Sequence, residues 1–112
     1  MYRLTIVAGP NRGATYFLEG EDVSIGRQDG NGIILASPKV SKRHCRLVVS
    51  NGEVTVQDEG SANGTFVNGA MVRSRKLKAG DRISVGDFVL DAEPSDDLTL
   101  LALRWNGPSG IP

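Results

Sequence analysis

The sequence predicts an all-β domain, an antiparallel sandwich or barrel, from two observations. Fourteen glycines punctuate the 112 residues, and short runs of β-branched and apolar residues lie between them. Several of these runs alternate apolar with polar residues, the period of two that a half-buried strand shows. No helical pattern is evident from Met1 to Glu93. The predicted strands, in chain order, are 2–7, 15–18, 23–25, 32–35, 44–49, 53–57, 65–67, 82–85 and 88–92.

The clearest strands are those whose alternation is regular. In 53–57 the apolar positions are Val54 and Val56, and in 82–85 they are Ile83 and Val85. Between 44–49 and 53–57 lies Ser50-Asn51-Gly52. Asn-Gly supplies the positive φ values of a type I′ turn, so a tight hairpin is predicted there.

The segment after residue 93 has a different character, which divides the chain into a domain at 1–93 and a tail at 94–112. Ser95 suits a helix N-cap, and Asp96 and Asp97 suit the positive end of a helix dipole. A short helix at 96–105 is therefore predicted, with a strand as the alternative. A tail rich in Leu and Trp is expected to pack on its own sandwich, on a second copy as a homodimer, or on a further domain.

The bulk composition excludes several classes of protein. The formal net charge is zero, which argues against nucleic acid as the main partner. No apolar run approaches the roughly 20 residues of a membrane helix, so no membrane partner is predicted. Cys45 is the only cysteine, which indicates a reducing, cytoplasmic location. Its alternation with Leu47 and Val49 predicts a core position. No cofactor is predicted, and one histidine with one cysteine cannot make a metal site.

Basic residues are concentrated in two places on this neutral chain. Four lie between Lys39 and Arg46, and four more lie between Arg73 and Lys78. The first group makes a local anion site conceivable. The second is interpreted as a solvated hairpin, with a patch for nucleic acid or an acidic partner as the less favoured alternative.

Four segments carry the candidate chemistry, and three of them place polar side chains in turns at strand ends. If these loops meet at one end of a sandwich, an arginine fork, a hydroxyl, an ammonium and an amide would suit a tetrahedral dianion. The segments are 25–27 (Ile-Gly-Arg), 40–44 (Val-Ser-Lys-Arg-His), 58–69 (Asp-Glu-Gly-Ser-Ala-Asn-Gly-Thr-Phe-Val-Asn-Gly) and 77–86 (Leu-Lys-Ala-Gly-Asp-Arg-Ile-Ser-Val-Gly).

Taken in order, these motifs resemble the forkhead-associated (FHA) family of phosphothreonine-binding domains over about residues 2–92. The resemblance implies an eleven-stranded FHA-like antiparallel β-sandwich whose apical loops bind a phosphothreonine-containing protein or peptide, in trans or within the parent protein. It further implies a Ser/Thr kinase upstream and a role in signalling. The domain is expected to be N-terminal in a larger protein.

The resemblance also implies a role for each matching residue. Arg27, Ser41 and Lys42 match the phosphate-binding positions. Asn63, with Gly64 beside it, matches the position that holds the peptide main chain, and Lys39 lies in the loop that reads the third residue after the phosphothreonine. The matches that shape the loops are Gly26, His44, Thr65, Asn68 and Gly69.

Two residues depart from the family pattern. Lys42 stands where arginine is frequent, and an ammonium lacks the planar fork that grips phosphate with two bonds. Ala62 stands where some members have Thr or Ser, so one phosphate contact is expected to be absent.

The sequence also suggests two alternatives to phosphopeptide binding. Ser41 and His44 invite a hydrolase interpretation, but the sequence has no nucleophile elbow, so no catalytic site is predicted. An FHA-like scaffold that binds its partner without phosphate is the other alternative. The presence of Arg27, Ser41 and Asn63 together argues against it.

Overall fold

The computed structural model describes residues 2–18 and 21–94, and these residues form a β-sandwich of two sheets. Within them are eleven strands, the number that the family resemblance implied, and no helix. The strands are β1 (Tyr2–Ala8), β2 (Thr15–Leu18), β3 (Val23–Gly26), β4 (Ile33–Ile34), β5 (Cys45–Ser50), β6 (Glu53–Asp58), β7 (Thr65–Val67), β8 (Ala70–Val72), β9 (Ser74–Lys76), β10 (Asp81–Val85) and β11 (Phe88–Pro94).

The strands divide into a six-stranded and a five-stranded sheet. The first has the order β2-β1-β11-β10-β7-β8, and the second has the order β4-β3-β5-β6-β9. Pairing is antiparallel throughout except between β3 and β4, which run parallel. Strands β2 and β4 are thus edge strands, and so are β8 and β9.

The inward-facing residues of both sheets make one apolar core. Alternation along the strands fills it, since β10 buries Asp81, Ile83 and Val85 while exposing Arg82 between them. The buried apolar residues are Leu4, Ile6, Leu18, Ile25, Ile33, Leu35, Val40, Cys45, Leu47, Val54, Val56, Val67, Leu77, Ile83, Val85, Phe88, Leu90 and Ala92. Cys45 therefore lies in the core, as predicted, and burial raises the pKa of its thiol to about 12.

The hairpin prediction is also confirmed. Asn51 and Gly52 have φ of 53° and 77°, as a type I′ turn requires. The turn joins β5 to β6 with Ser50 paired to Glu53.

The interpretation of Arg73–Lys78 as a hairpin is wrong. Strand β8 pairs with β7 in the first sheet, whereas β9 pairs with β6 in the second, so the chain changes sheets near Arg73. Two of the four basic residues, Arg75 and Lys76, lie on a short edge strand, where all three residues of β9 are exposed. Charged side chains on an edge strand discourage pairing with another chain.

The predicted tail lies almost wholly outside the described residues. Its first residue, Pro94, ends β11, and the predictions of a helix at 96–105 and of a homodimer through the tail concern the rest. Within the described ranges, no helix is long and apolar enough to cross a membrane.

Candidate functional site

Strand register brings three of the motif-bearing loops to the same end of the second sheet. Ile25 near the end of β3 pairs with Cys45 at the start of β5, and Cys45 pairs with Asp58 at the end of β6. The loops at 27–32, 35–44 and 59–64 therefore begin or end at the same end of this sheet. They contain the predicted phosphate- and peptide-binding residues.

Gly26 allows the first two loops to touch. A Cβ on Gly26 would lie 2.2 Å from the carbonyl oxygen of Lys42, so no other residue fits without moving the backbone. In that space the backbone N–H of Arg27 donates to the Ser41 carbonyl at 3.0 Å. The arginine loop and the serine loop are thus bonded main chain to main chain.

The Arg27 side chain is exposed but oriented. Its Nε donates to the Val40 carbonyl at 2.9 Å. A guanidinium has five N–H donors, so the four on its two Nη atoms remain for a ligand. One anchored edge and one free edge form the geometry of a bidentate anion clamp.

The Ser41 hydroxyl also has a free donor. Its Oγ accepts the backbone N–H of Ala62 at 2.9 Å, which ties the second loop to the third. Because Oγ serves as the acceptor in that bond, its own proton can be given to an anion.

Asn63 makes a second bond from the third loop to the second, with its side chain as the donor. Its Nδ2 donates to the Lys39 carbonyl at 2.9 Å. The second N–H of the amide and its Oδ1 make no other hydrogen bond within the described part of the chain. One donor and one acceptor are the requirement for holding an extended peptide main chain.

His44 is the internal brace of the site rather than part of its surface. It is 0% exposed. Its Nδ1 accepts the Ser41 backbone N–H at 3.1 Å, and its Nε2 lies 2.9 Å from the Gly64 carbonyl. These partners assign the proton to Nε2, which donates to Gly64. Since neither nitrogen contacts the Ser41 hydroxyl, the pair is not arranged as a nucleophile and its base.

The Asp58 carboxylate fixes the conformation of the third loop through hydrogen bonds. Asp58 accepts hydrogen bonds from the hydroxyls of Ser61 and Thr65 and from the backbone N–H groups of Gly60 and Ser61. Burial raises the pKa of Asp58, but these hydrogen bonds outweigh it and leave the pKa below its ordinary value. Thr65 thus donates to this carboxylate from a buried position.

Asn31 contributes to the site but was missed in the sequence. Its Nδ2 donates to the carbonyls of Gln28 at 2.7 Å and Lys42 at 2.8 Å, so one buried amide clamps the first two loops. In the Gly30-Asn31-Gly32 context it looked like an ordinary turn residue. Asp58 was missed as well, because its partners Ser61 and Thr65 become visible only when the loop is folded.

Within the described residues, no ion pair neutralises the positive charges of the site. The ion pairs in residues 2–18 and 21–94 are Arg46–Asp22, Lys76–Glu53 and Arg82–Asp91. Arg27, Lys39 and Lys42 are exposed and belong to none of them. The three linked loops therefore present exposed cations, unpaired among the described residues, beside hydroxyl and amide donors.

Two of the predicted loop-shaping residues lie away from this site. Asn68 and Gly69 make the turn between β7 and β8, where Asn68 bonds Asp81 and the backbone N–H of Arg82. As for metals, the described ranges hold no cluster of three or more His, Cys, Asp or Glu side chains suited to an ion.

Comparison with known proteins relates this geometry to a family. The FHA domain family model matches residues 23–86, more than half of the chain. The oxoglutarate dehydrogenase inhibitor of Corynebacterium efficiens is 39% identical over 87 residues, covering 78% of this chain and 61% of that protein. The glycogen accumulation regulator GarA of Mycolicibacterium smegmatis is 38% identical over 97 residues, covering 84% and 61%. This chain thus spans less than two thirds of both relatives.

A solved structure agrees in fold. An FHA domain studied in a structural and functional analysis of phosphothreonine-dependent FHA domain interactions superimposes with a TM-score of 0.78 at 28% identity. The superposition covers 85% of this chain and 97% of that domain.

Proposed function

Because this chain belongs to the FHA domain family, we propose that it is a protein-interaction module that binds phosphothreonine segments and has no catalytic role. The observation that carries the proposal is the set of interlocked loops that expose Arg27, Ser41 and Lys42 with unused donors. Its fold relative was studied for phosphothreonine-dependent interactions, which supports the same ligand here.

Phosphate capture follows from the donors that the fold leaves unused. The two Nη groups of Arg27 bind two phosphate oxygens, and the Ser41 hydroxyl donates to one of them. Lys42 adds a point charge. A phosphate monoester carries nearly two negative charges and three acceptor oxygens at neutral pH, which matches this group of donors better than a carboxylate does.

The third loop binds the main chain of the peptide. The free donor and acceptor of Asn63 pair with the peptide main chain beside the phosphothreonine, with Gly64 next to it. Lys39 lies across from Asn63, because its carbonyl accepts the Asn63 amide. Its ammonium favours an acidic peptide residue C-terminal to the phosphothreonine.

The biological setting is proposed on the names of the relatives. One is an inhibitor of oxoglutarate dehydrogenase and another regulates glycogen accumulation. We propose likewise that this domain regulates a partner by binding it, after a Ser/Thr kinase has phosphorylated the partner or the parent protein. A cytoplasmic location and an N-terminal place in a longer protein stay predictions.

The test starts from a degenerate phosphothreonine peptide library, which yields a binding sequence for the purified chain. That peptide is then made with Thr, phosphothreonine, phosphoserine or Asp at the same position, and each form is titrated by calorimetry at one salt concentration. We expect the phosphothreonine form to bind roughly 100-fold or more tightly than the Thr form, and no detectable binding of the Asp form. Phosphoserine lacks a methyl group worth about 0.8 kcal/mol or more, so it binds several-fold more weakly. Equal binding of the Thr form would establish the phosphate-independent scaffold instead.

A further inference from the structure

Two apolar side chains lie side by side on the outer face of the first sheet, next to the third loop of the candidate site. Phe66 on β7 and Met71 on β8 are directly opposite each other in the antiparallel ladder, so their side chains share one face. Thr65 and Val67, the neighbours of Phe66, are buried in the core. Phe66 and Met71, here called the apolar pair, therefore face outward. Met71 is 67% exposed, the most of any large apolar side chain in residues 2–18 and 21–94.

The apolar pair is continuous with the peptide-binding loop through Gly64. A Cβ on Gly64 would lie 3.0 Å from the Cε of Met71 and 3.5 Å from a ring carbon of Phe66. Gly64 directly follows Asn63, whose free amide groups are proposed to hold the peptide main chain. Gly64 contributes only main chain between Asn63 and the apolar pair, and consecutive Cα atoms are about 3.8 Å apart. A peptide held by Asn63 therefore passes within a side chain's reach of the pair.

The third loop has different neighbours at Asn63 and at Gly64. The Asn63 amide bonds the Lys39 carbonyl in the second loop, which also carries the phosphate-binding position Ser41. Gly64 instead contacts Met71 on β8, the edge strand of the first sheet. An extended peptide advances about 3.3 Å per residue and points successive side chains to opposite faces. A residue one or two places from the phosphothreonine can thus lie over the apolar pair while the phosphate stays on the second loop.

The chemistry of the apolar pair selects the kind of peptide side chain. Methionine is unbranched and polarisable, so it adapts its shape to different apolar groups. The ring of Phe66 adds a flat apolar surface. Neither side chain can replace the water that a charged or amide group gives up on contact, so such groups are disfavoured. An aliphatic or aromatic side chain loses no hydrogen bond there and gains from leaving water.

We propose that Phe66 and Met71 form an apolar subsite, which binds an aliphatic or aromatic side chain one or two residues from the phosphothreonine. The inference rests on the proposed function and adds the class of peptide to it. The ligand combines a phosphothreonine with a nearby apolar residue. Lys39 and the apolar pair then bind different residues of the same peptide.

The experiment uses phosphothreonine peptide libraries in which the two positions on each side of the phosphothreonine are varied in turn. They are screened against the wild-type chain, Met71→Gln and Met71→Glu. The matched control is Phe17→Gln, because Phe17 is an exposed apolar residue, 48% accessible, on β2 at the opposite edge of the same sheet. Circular dichroism confirms that each variant is folded. The selected peptide and its Ala replacement at the selected position are then titrated by calorimetry.

We expect the wild type and Phe17→Gln to select an apolar residue at one of these positions. Its replacement by Ala should weaken their binding roughly fivefold to tenfold, as the loss of a partly buried aliphatic group predicts. In Met71→Gln the same replacement should cost about twofold or less. Met71→Glu should select Lys or Arg at that position, because its carboxylate then lies under the peptide side chain.

Failure of this inference and failure of the proposed function give different results. A wild type that binds phosphothreonine peptides without an apolar preference overturns the subsite and leaves the proposed function intact. The subsite is equally overturned if Met71→Gln or Met71→Glu keeps the full apolar preference, or if Phe17→Gln loses it. A wild type that binds Thr peptides as well as phosphothreonine peptides overturns the proposed function, and the subsite with it.

Discussion

Two Asn-Gly pairs five residues apart, Asn63-Gly64 and Asn68-Gly69, have the same sequence and opposite states of hydrogen bonding. Both polar atoms of the Asn68 amide are bonded inside the fold, since Oδ1 accepts the Arg82 N–H at 2.9 Å and Nδ2 donates to Asp81 at 3.0 Å. Among the described residues, the Asn63 amide makes one bond, to the Lys39 carbonyl, and its Oδ1 and second N–H have no partner there. The two pairs share one sequence, so the dipeptide does not distinguish them. The pair that can bind a ligand is the one whose asparagine amide keeps free hydrogen-bonding groups.

The surroundings of the two pairs differ in the same way. Beside Asn63 lie exposed cations that belong to no ion pair within the described ranges. Beside Asn68 the charged partner is Asp81, which is largely buried and hydrogen-bonded to the Lys78 N–H at 2.8 Å. The polar groups around Asn68 are bonded within the fold and have a structural role. The loops around Asn63 are held in place by hydrogen bonds but leave donors and cations for a ligand. Substitutions of the two asparagines should therefore affect stability and binding in opposite ways.

The largest effect is expected for His44→Ala, which removes the brace behind Gly64. Loss of a buried ring and of two hydrogen bonds should lower the free energy of unfolding by about 3 kcal/mol or more. Peptide binding should weaken only as the folded fraction falls. Thermal and urea denaturation, paired with a phosphopeptide titration, measure both. A variant of native stability that binds nothing would make His44 a ligand contact.

Asn63→Ala should damage binding and spare stability. The variant leaves the peptide main chain without partners, at a cost of about 2 kcal/mol, or roughly a thirtyfold loss of affinity. Because the side chain is exposed and makes one internal bond, the melting temperature should change little. Calorimetry and a thermal scan on the same sample check this, and unchanged affinity would remove Asn63 from the site.

Asn68→Gly should do the reverse. Glycine keeps the positive φ of 52° without strain but removes the amide. Loss of the bonds to Asp81 and Arg82 should lower the free energy of unfolding by about 1–3 kcal/mol while the phosphopeptide affinity stays within about twofold. Urea denaturation decides the first part. A marked fall in affinity in a stable variant would contradict the division between the two pairs.

The smallest effect is a dependence of stability on acid. The backbone hydrogen bond from Lys78 and the amide of Asn68 lower the pKa of Asp81 in the folded state. A folded pKa below the unfolded value of about 3.9 stabilises the protein above that pH, and the stabilisation is lost as the pH falls through the folded pKa. Urea denaturation at neutral pH and near pH 3 should therefore show a smaller drop for Asp81→Asn than for the wild type. An equal drop would assign the acid sensitivity to other carboxylates.

The sequence correctly predicted the features that depend on residues close together in the chain. The Asn51-Gly52 turn and the alternating strands were predictable because their causes lie within a few residues. Strands β8 and β9 were missed because each is three residues long and is defined by partners in different sheets. The motif residues of the candidate site were named from the sequence, and their binding roles stay predictions. The bond from Arg27 to the Val40 carbonyl and the Asn31 clamp could not be named, since both join loops that only the folded chain brings together.

The most direct test of phosphate recognition is a thermodynamic cycle between Arg27 and the phosphate. Wild type and Arg27→Ala are each titrated with the phosphorylated and the unmodified form of one peptide, and Arg43→Ala, exposed in the neighbouring loop, is the control. Two charged hydrogen bonds of about 1.5 kcal/mol or more each should make phosphorylation worth roughly 100-fold or more in the wild type and in Arg43→Ala. In Arg27→Ala that gain should shrink to a few-fold. A full phosphorylation gain in the Arg27→Ala variant would contradict the account.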